Sequence, residues 1–159
     1  MGIVSGIPQD SVKQLPPGVL YDRGLISPQI DGFEVFTTSI FPFKVTKEYL
    51  ELPSTSASQA NFRVFATITA IDLSGYTTAN LIYMASHTVN VVNTGFGVFP
   101  NSQFSISLYP TASINLPAST TEATRTLDIS ALNDLFKIGI RIGNGQQNPQ
   151  VKCFKIWLS

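Results

Sequence analysis

From about residue 33 onward the chain is a succession of short runs in which apolar and polar residues alternate, broken roughly every 8–12 residues by clusters of Gly, Pro, Asn and Ser. A period of two puts successive side chains on opposite faces of an extended strand and leaves no window for an amphipathic helix. Strands of this kind bury their apolar side by packing one sheet on another, so the pattern predicts an all-β, antiparallel β-sandwich. The expected strands are Gly32–Thr38, Glu48–Leu52, Phe62–Ala70, Leu81–Ala85, His87–Val92, Phe104–Leu108, Ala112–Leu116, Thr124–Ser130, Phe136–Ile142 and Gln150–Leu158. One helical turn is expected at Ser130–Leu135, with Ser130 as its cap.

The last two runs are the most regular. Phe136, Ile138, Ile140 and Ile142 alternate with Lys137, Gly139 and Arg141, and the turn-rich Gly143-Asn144-Gly145 follows, which predicts a hairpin into the final strand. That final strand is apolar on both parities near its end, the pattern of a central strand covered on both faces. Cys153 and Trp157 are therefore expected to be core residues.

Residues 1–32 read differently, as an extended N-terminal arm preceding a sandwich domain at residues 33–159. Pro8, Pro16, Pro17 and Pro28 interrupt any periodicity, yet the segment carries Ile3, Val4, Ile7, Val12, Leu15, Val19, Leu20 and Tyr21. Such apolar content suits a segment that packs on something, either its own sandwich or a neighbouring subunit. The expectation is an assembly arm that docks on neighbours.

The chemistry of the chain excludes more than it proposes. Of its 159 residues only 13% are charged, with Lys+Arg 10 balanced by Asp+Glu 10. No basic cluster extends beyond Lys44–Lys47, so neither nucleic acid nor an anionic membrane is an expected partner. No apolar run reaches spanning length and no signal peptide is legible. A lone cysteine forms no intrachain disulfide and no four-ligand zinc site. His87 shares a strand parity with Val89 and Val91, which places it in structure rather than in a triad. Asp31, Glu34, Glu48, Glu51, Asp128 and Asp134 read as turn and edge residues, and a calcium loop through Asp22, Asp31 or Asp72 lacks the motif that would build it. Gly95, Gly97, Gly139, Gly143 and Gly145 are expected in turns and bulges, since no helix pattern or Gly-Lys-Ser/Thr follows them. No catalytic residue, cofactor or metal is expected, and the chain is read as a non-enzyme. Sugars stack on exposed rings beside amides and hydroxyls. Tyr76, in Ser74-Gly-Tyr-Thr-Thr78, is the expected ligand contact, with Phe96, Phe99 and Tyr109 behind it.

Two segments carry a resemblance: Thr126-Leu-Asp-Ile-Ser-Ala-Leu-Asn-Asp-Leu-Phe-Lys-Ile-Gly-Ile-Arg-Ile142, then Val151-Lys-Cys-Phe-Lys-Ile-Trp-Leu158. Together they resemble the closing strands of jelly-roll β-sandwiches found in tailed-phage fibre, tail and capsid-decoration proteins, and in carbohydrate-binding modules of the same architecture. The resemblance implies a jelly-roll-like sandwich and a non-enzymatic structural protein located in the virion. It would be a homo-oligomer, with a trimer favoured, docking through its arm on capsid or tail proteins. The alternative it implies is a carbohydrate- or receptor-binding module that holds a glycan through Tyr76. No sugar-binding or metal residue carries over from either group.

Overall fold

In the computed structural model the described residues are 15–36, 44–52, 63–86, 94–101, 109–142 and 150–159. Their strands are β1 (Val19–Asp22), β2 (Leu25–Ile26), β3 (Phe33–Phe36), β4 (Lys44–Val45), β5 (Leu50–Leu52), β6 (Arg63–Thr67), β7 (Ile71–Asp72), β8 (Thr78–Ser86), β9 (Gly95–Pro100), β10 (Ala112–Asn115), β11 (Ser119–Asp128), β12 (Leu135–Ile142) and β13 (Gln150–Leu158). They form two antiparallel sheets. The seven-stranded sheet runs β11-β8-β13-β1-β2, with β5 pairing β13 and β4 pairing β5; the six-stranded sheet runs β10-β9-β12-β6-β3, with β7 on β12. The chain is an all-β, jelly-roll-like sandwich, as the alternation requires.

The inward parities build one core. Leu81, Tyr83, Phe96, Ile138, Ile140, Val151 and Ile156 are all buried there, and full burial of each such side chain stabilises by about 1.5–3 kcal/mol. Aromatic rings tie the sheets together: Tyr21 meets Phe33 edge-on at 6.1 Å, and Phe33 stacks on Phe65 at 4.7 Å. On the outer side of the six-stranded sheet Val64, Ala66 and Phe99 form a second, smaller buried cluster.

Several expectations change. The arm boundary at residue 32 falls inside the sandwich: β1 pairs with β13, Val19 opposite Trp157 and Tyr21 opposite Ile156. Leu20 and Tyr21 are fully buried in the domain's own core, while Val19 and Leu15 are half-buried. A shift of register between Val19 and Tyr21 turns both Leu20 and Tyr21 inward, and this local irregularity hides the strand from a period-two reading. Ile3, Val4, Ile7 and Val12 lie outside the described residues, as do His87 and the expected strands His87–Val92 and Phe104–Leu108.

The final hairpin does not form. β12 pairs with β6, β7 and β9, whereas β13 pairs with β5, β8 and β1, so the connection between them passes from one sheet to the other. Each strand has partners on both edges within its own sheet, and their inward residues meet in the same core. The expected turn of helix at Ser130 is absent. Asp128 accepts hydrogen bonds from the Ser130 amide (2.9 Å) and hydroxyl (2.6 Å), making an Asx turn that competes with helix, and the one 3-10 turn among the described residues is Pro28–Ile30. Gly95 opens β9, and Gly97 and Gly139 are mid-strand, so none of the three is in a turn. A Cβ on Gly139 would collide with the Phe65 carbonyl oxygen, and one on Gly97 would sit 2.6 Å from the Ala112 carbonyl oxygen.

Candidate functional site

β13 sets up the site through a register shift between Cys153 and Lys155. The extra residue, Phe154, switches the strand's parity. Val151 and Cys153 face the core before it, Ile156 and Leu158 after it, and Lys152, Lys155 and Trp157 are left on the outer face. The apolar content on both parities is thus the mark of a bulge, not of cover on both faces. Trp157 is half-buried on the outside rather than a core residue, and Cys153 is in the core as expected.

Three rings stand on this outer face, each with a cation against it: Tyr49 and Trp157 are half-buried, while Phe154 is 7% exposed and lies covered by Arg23 and Tyr49. Lys152 Nζ lies 4.8 Å from the Tyr49 ring centre, the Arg23 guanidinium 5.3 Å from Phe154, and Lys155 Nζ 5.3 Å from Trp157. These are the distances at which an ammonium or guanidinium is drawn to a ring's negative face. Tyr49 and Phe154 also touch each other, their centres 5.7 Å apart. The row follows β13.

Beside Trp157 stands a cluster of amide and hydroxyl groups. Asn80 pairs across to Trp157 and, on its other side, to Thr126. Its Nδ2 donates to Thr78 Oγ1 (3.1 Å) and Ser159 Oγ (3.2 Å), and its Oδ1 accepts from Thr126 Oγ1 (2.9 Å). Thr78 and Ser159 hydroxyls are 2.6 Å apart. Asp22, opposite Lys155 on β1, lies 3.6 Å from its Nζ.

Arg23 reaches the face because of its turn. Asp22 pairs with Leu25, so Arg23 and Gly24 form a two-residue loop, and both have positive φ, 42° and 90°. That is the type I′ geometry, and Gly24 fits it where a Cβ would come 2.7 Å from the Lys47 carbonyl oxygen. The Arg23 amide donates to the Phe154 carbonyl (2.9 Å), which aims the side chain across the sheet. Its Nη1 and Nη2 meet both carboxylate oxygens of Glu122 on β11 at 2.9 and 3.0 Å. β13 and β8 lie between β1 and β11, so this ion pair spans two strands. The paired guanidinium holds the Glu122 carboxyl below its ordinary range.

The residues singled out from sequence fall elsewhere. Tyr76 packs against the core, its ring edge 3.4 Å from where a Cβ on Gly18 would stand, and takes no part in the row. Phe96 and Phe99 are fully buried. Tyr109 is 64% exposed, with the Arg141 guanidinium 4.2 Å above it, on the side of the six-stranded sheet. Burial pushes the Cys153 thiol's pKa up, which keeps it protonated. Asp31 accepts from the Thr69 hydroxyl, Asp72 from the Ser74 amide, Glu34 pairs with Lys137 at 2.8 Å, and Glu51 accepts from Gln150. Among the described residues no three potential ligands gather as a metal site, and no helix is long and apolar enough to cross a membrane.

No family model matches the chain, and no curated protein matches it. Solved structures do. A structure described as "CBM4 structure and function" superposes with TM-score 0.54 at 9% identity, covering 90% of this chain and 96% of its own. The Emp47p carbohydrate recognition domain gives 0.53 at 11% identity (96% and 98%), and a variant of the Emp46p carbohydrate recognition domain gives 0.55 at 10% (92% and 98%). At these identities the likeness is one of fold. The chain has the jelly-roll β-sandwich architecture of carbohydrate-binding and lectin domains.

Proposed function

We propose that this chain is a carbohydrate-binding module and that the outer face of the seven-stranded sheet is where the glycan lies. The observation that carries the reading is the pair of half-buried rings Tyr49 and Trp157, set on either side of the covered Phe154 with a cation against each ring, and continued by the Asn80–Thr78–Thr126–Ser159 cluster. A pyranose offers an apolar C–H face to a ring and hydroxyls to amide, hydroxyl and ammonium groups, which is the set arranged here. The neighbouring folds support the same reading, since two are carbohydrate recognition domains. It is a reading of recognition without turnover: the carboxylates on the face, Glu122 and Asp22, are held by Arg23 and Lys155, while the chain's thiol points into the core as a protonated group.

The test is a glycan array followed by calorimetry on the wild type and Trp157→Ala. The expected result is saccharide binding that Trp157→Ala abolishes while the fold is retained. Binding unaffected by Trp157→Ala and Tyr49→Ala, or no saccharide bound, would overturn it. A virion location, with a trimer docked on capsid or tail proteins, rests on Ile3, Val4, Ile7 and Val12, because Leu20 and Tyr21 serve the domain's own core. Co-purification of the full chain with particles tests that role.

A further inference from the structure

The glycan reading leaves one feature of the face unused, the Arg23–Glu122 pair that lies across it. We propose that the saccharide carries a carboxylate, as uronic acids do, and that this carboxylate replaces that of Glu122 on Arg23. The inference rests on the glycan reading above and names the class of sugar.

Four observations converge. The pair is a two-pronged one, both guanidinium nitrogens meeting both carboxylate oxygens, which is the geometry by which arginine selects a planar carboxylate. It lies on the ligand face itself, with the guanidinium against Phe154 in the middle of the aromatic row. Arg23 occupies a left-handed position that Asn, Asp and Gly normally fill, and a strained non-glycine residue held in place by its surroundings is a mark of functional positions. Finally, Glu122 is the releasable partner. It sits where the β11–β8 register is broken between Ser119 and Ala123, on an edge strand, with 42% of its side chain exposed. Glu122 therefore acts as an internal stand-in for the ligand's acid group. Lys155, held by Asp22 at 3.6 Å, and Lys152 supply further positive charge along the same row.

Exchange of one carboxylate for another forms and breaks no covalent bond. It makes Glu122 a competitor that weakens acidic ligands and leaves neutral ones alone. The experiment is calorimetric titration of the full chain with fragments of alginate, oligogalacturonate and hyaluronan, against neutral fragments of mannan, galactan and dextran. Wild type, Trp157→Ala, Glu122→Gln, Glu122→Ala and Arg23→Gln are compared, with thermal melting as the folding control. Removing the competitor is expected to tighten acidic fragments by up to about fivefold, the upper end of what an exposed ion pair contributes. Neutral fragments should bind the Glu122 variants as they bind wild type. Arg23→Gln should erase any preference for the acidic member of a pair, and added salt should weaken only the acidic fragments. An unchanged ratio of acidic to neutral affinity in the Glu122 variants overturns the inference. If neutral fragments then still bind in a Trp157-dependent way, the glycan reading stands without it. Should no fragment bind any variant, both fall.

Discussion

Two adjacent residues of β13 give the sharpest test of how the site is built. Because Phe154 is an extra residue in the strand, Ile156 faces the core and Trp157 faces out. Ile156 is 0% exposed, so Ile156→Ala removes buried methyl groups from a site that cannot fully collapse. Substitutions of this kind cost about 2–5 kcal/mol. At about 2–4 °C per kcal/mol for a domain of this size, the melting temperature should fall by roughly 4–20 °C. Trp157→Ala removes a larger side chain but one half-buried against Lys155 and the strand surface. Its loss should amount to about 1 kcal/mol, hence roughly 2–4 °C, in keeping with an exposed ring–cation contact. Urea unfolding and thermal melts of the two variants, each beside wild type, make the comparison. A Trp157→Ala protein destabilised as much as Ile156→Ala would mean that the parity does not switch at Phe154, and that Trp157 does not face solvent.

Two further predictions follow from titration and access. Cys153 is fully buried and its pKa raised, so a thiol reagent should leave it unmodified in native buffer and label it fully in denaturant, measured by mass spectrometry. Asp72, Asp128 and Glu122 have carboxyl groups held below their ordinary values, the first two by Ser74 and Ser130, the third by Arg23. A depressed folded-state pKa contributes stability that is present above the unfolded value and lost as pH falls through the folded one. Stability should therefore be level above about pH 5 and decline below about pH 4, a trend that chemical denaturation at several pH values would measure.

Some of this molecule can be read directly from its residues. β12 is legible because Phe136 to Ile142 keeps strict alternation with no irregularity, and its inward residues are the apolar ones. β13 is misleading because a bulge leaves no local signature: Val151 and Cys153, then Ile156 and Leu158, look like two apolar faces when they are one face interrupted. Gly143-Asn144-Gly145 reads as a hairpin turn, yet which partner a strand takes is decided by the rest of the sheet. The arm was hidden for a related reason, since the prolines and glycines around β1 mask a strand whose Leu20 and Tyr21 both point inward. The candidate site draws on Arg23, Tyr49, Phe154 and Trp157, which come from three separate stretches of chain and meet only through the pairing of β1, β5 and β13. Lys152, Lys155 and Trp157 share one face of β13 only because of the bulge at Phe154, so period-two reading separates them; Tyr76 drew attention instead because its loop is polar and contains glycine.

The pairing of Val19 with Trp157 bears on how the domain reaches its native state. β13 lies between β8 and β1, two strands far apart along the chain, and comes after both in chain order. Until it pairs, β8 and β1 have no shared neighbour and each presents an open hydrogen-bonding edge. Contacts of such long sequence separation slow folding, toward milliseconds to seconds in sandwiches, and open edges are where nascent chains associate. This places the hazard in assembly late, at the closing of the sheet that carries the ligand face. Substitutions that weaken the β1–β13 seam would then lower the yield of folded protein during expression more than they lower the stability of what has folded.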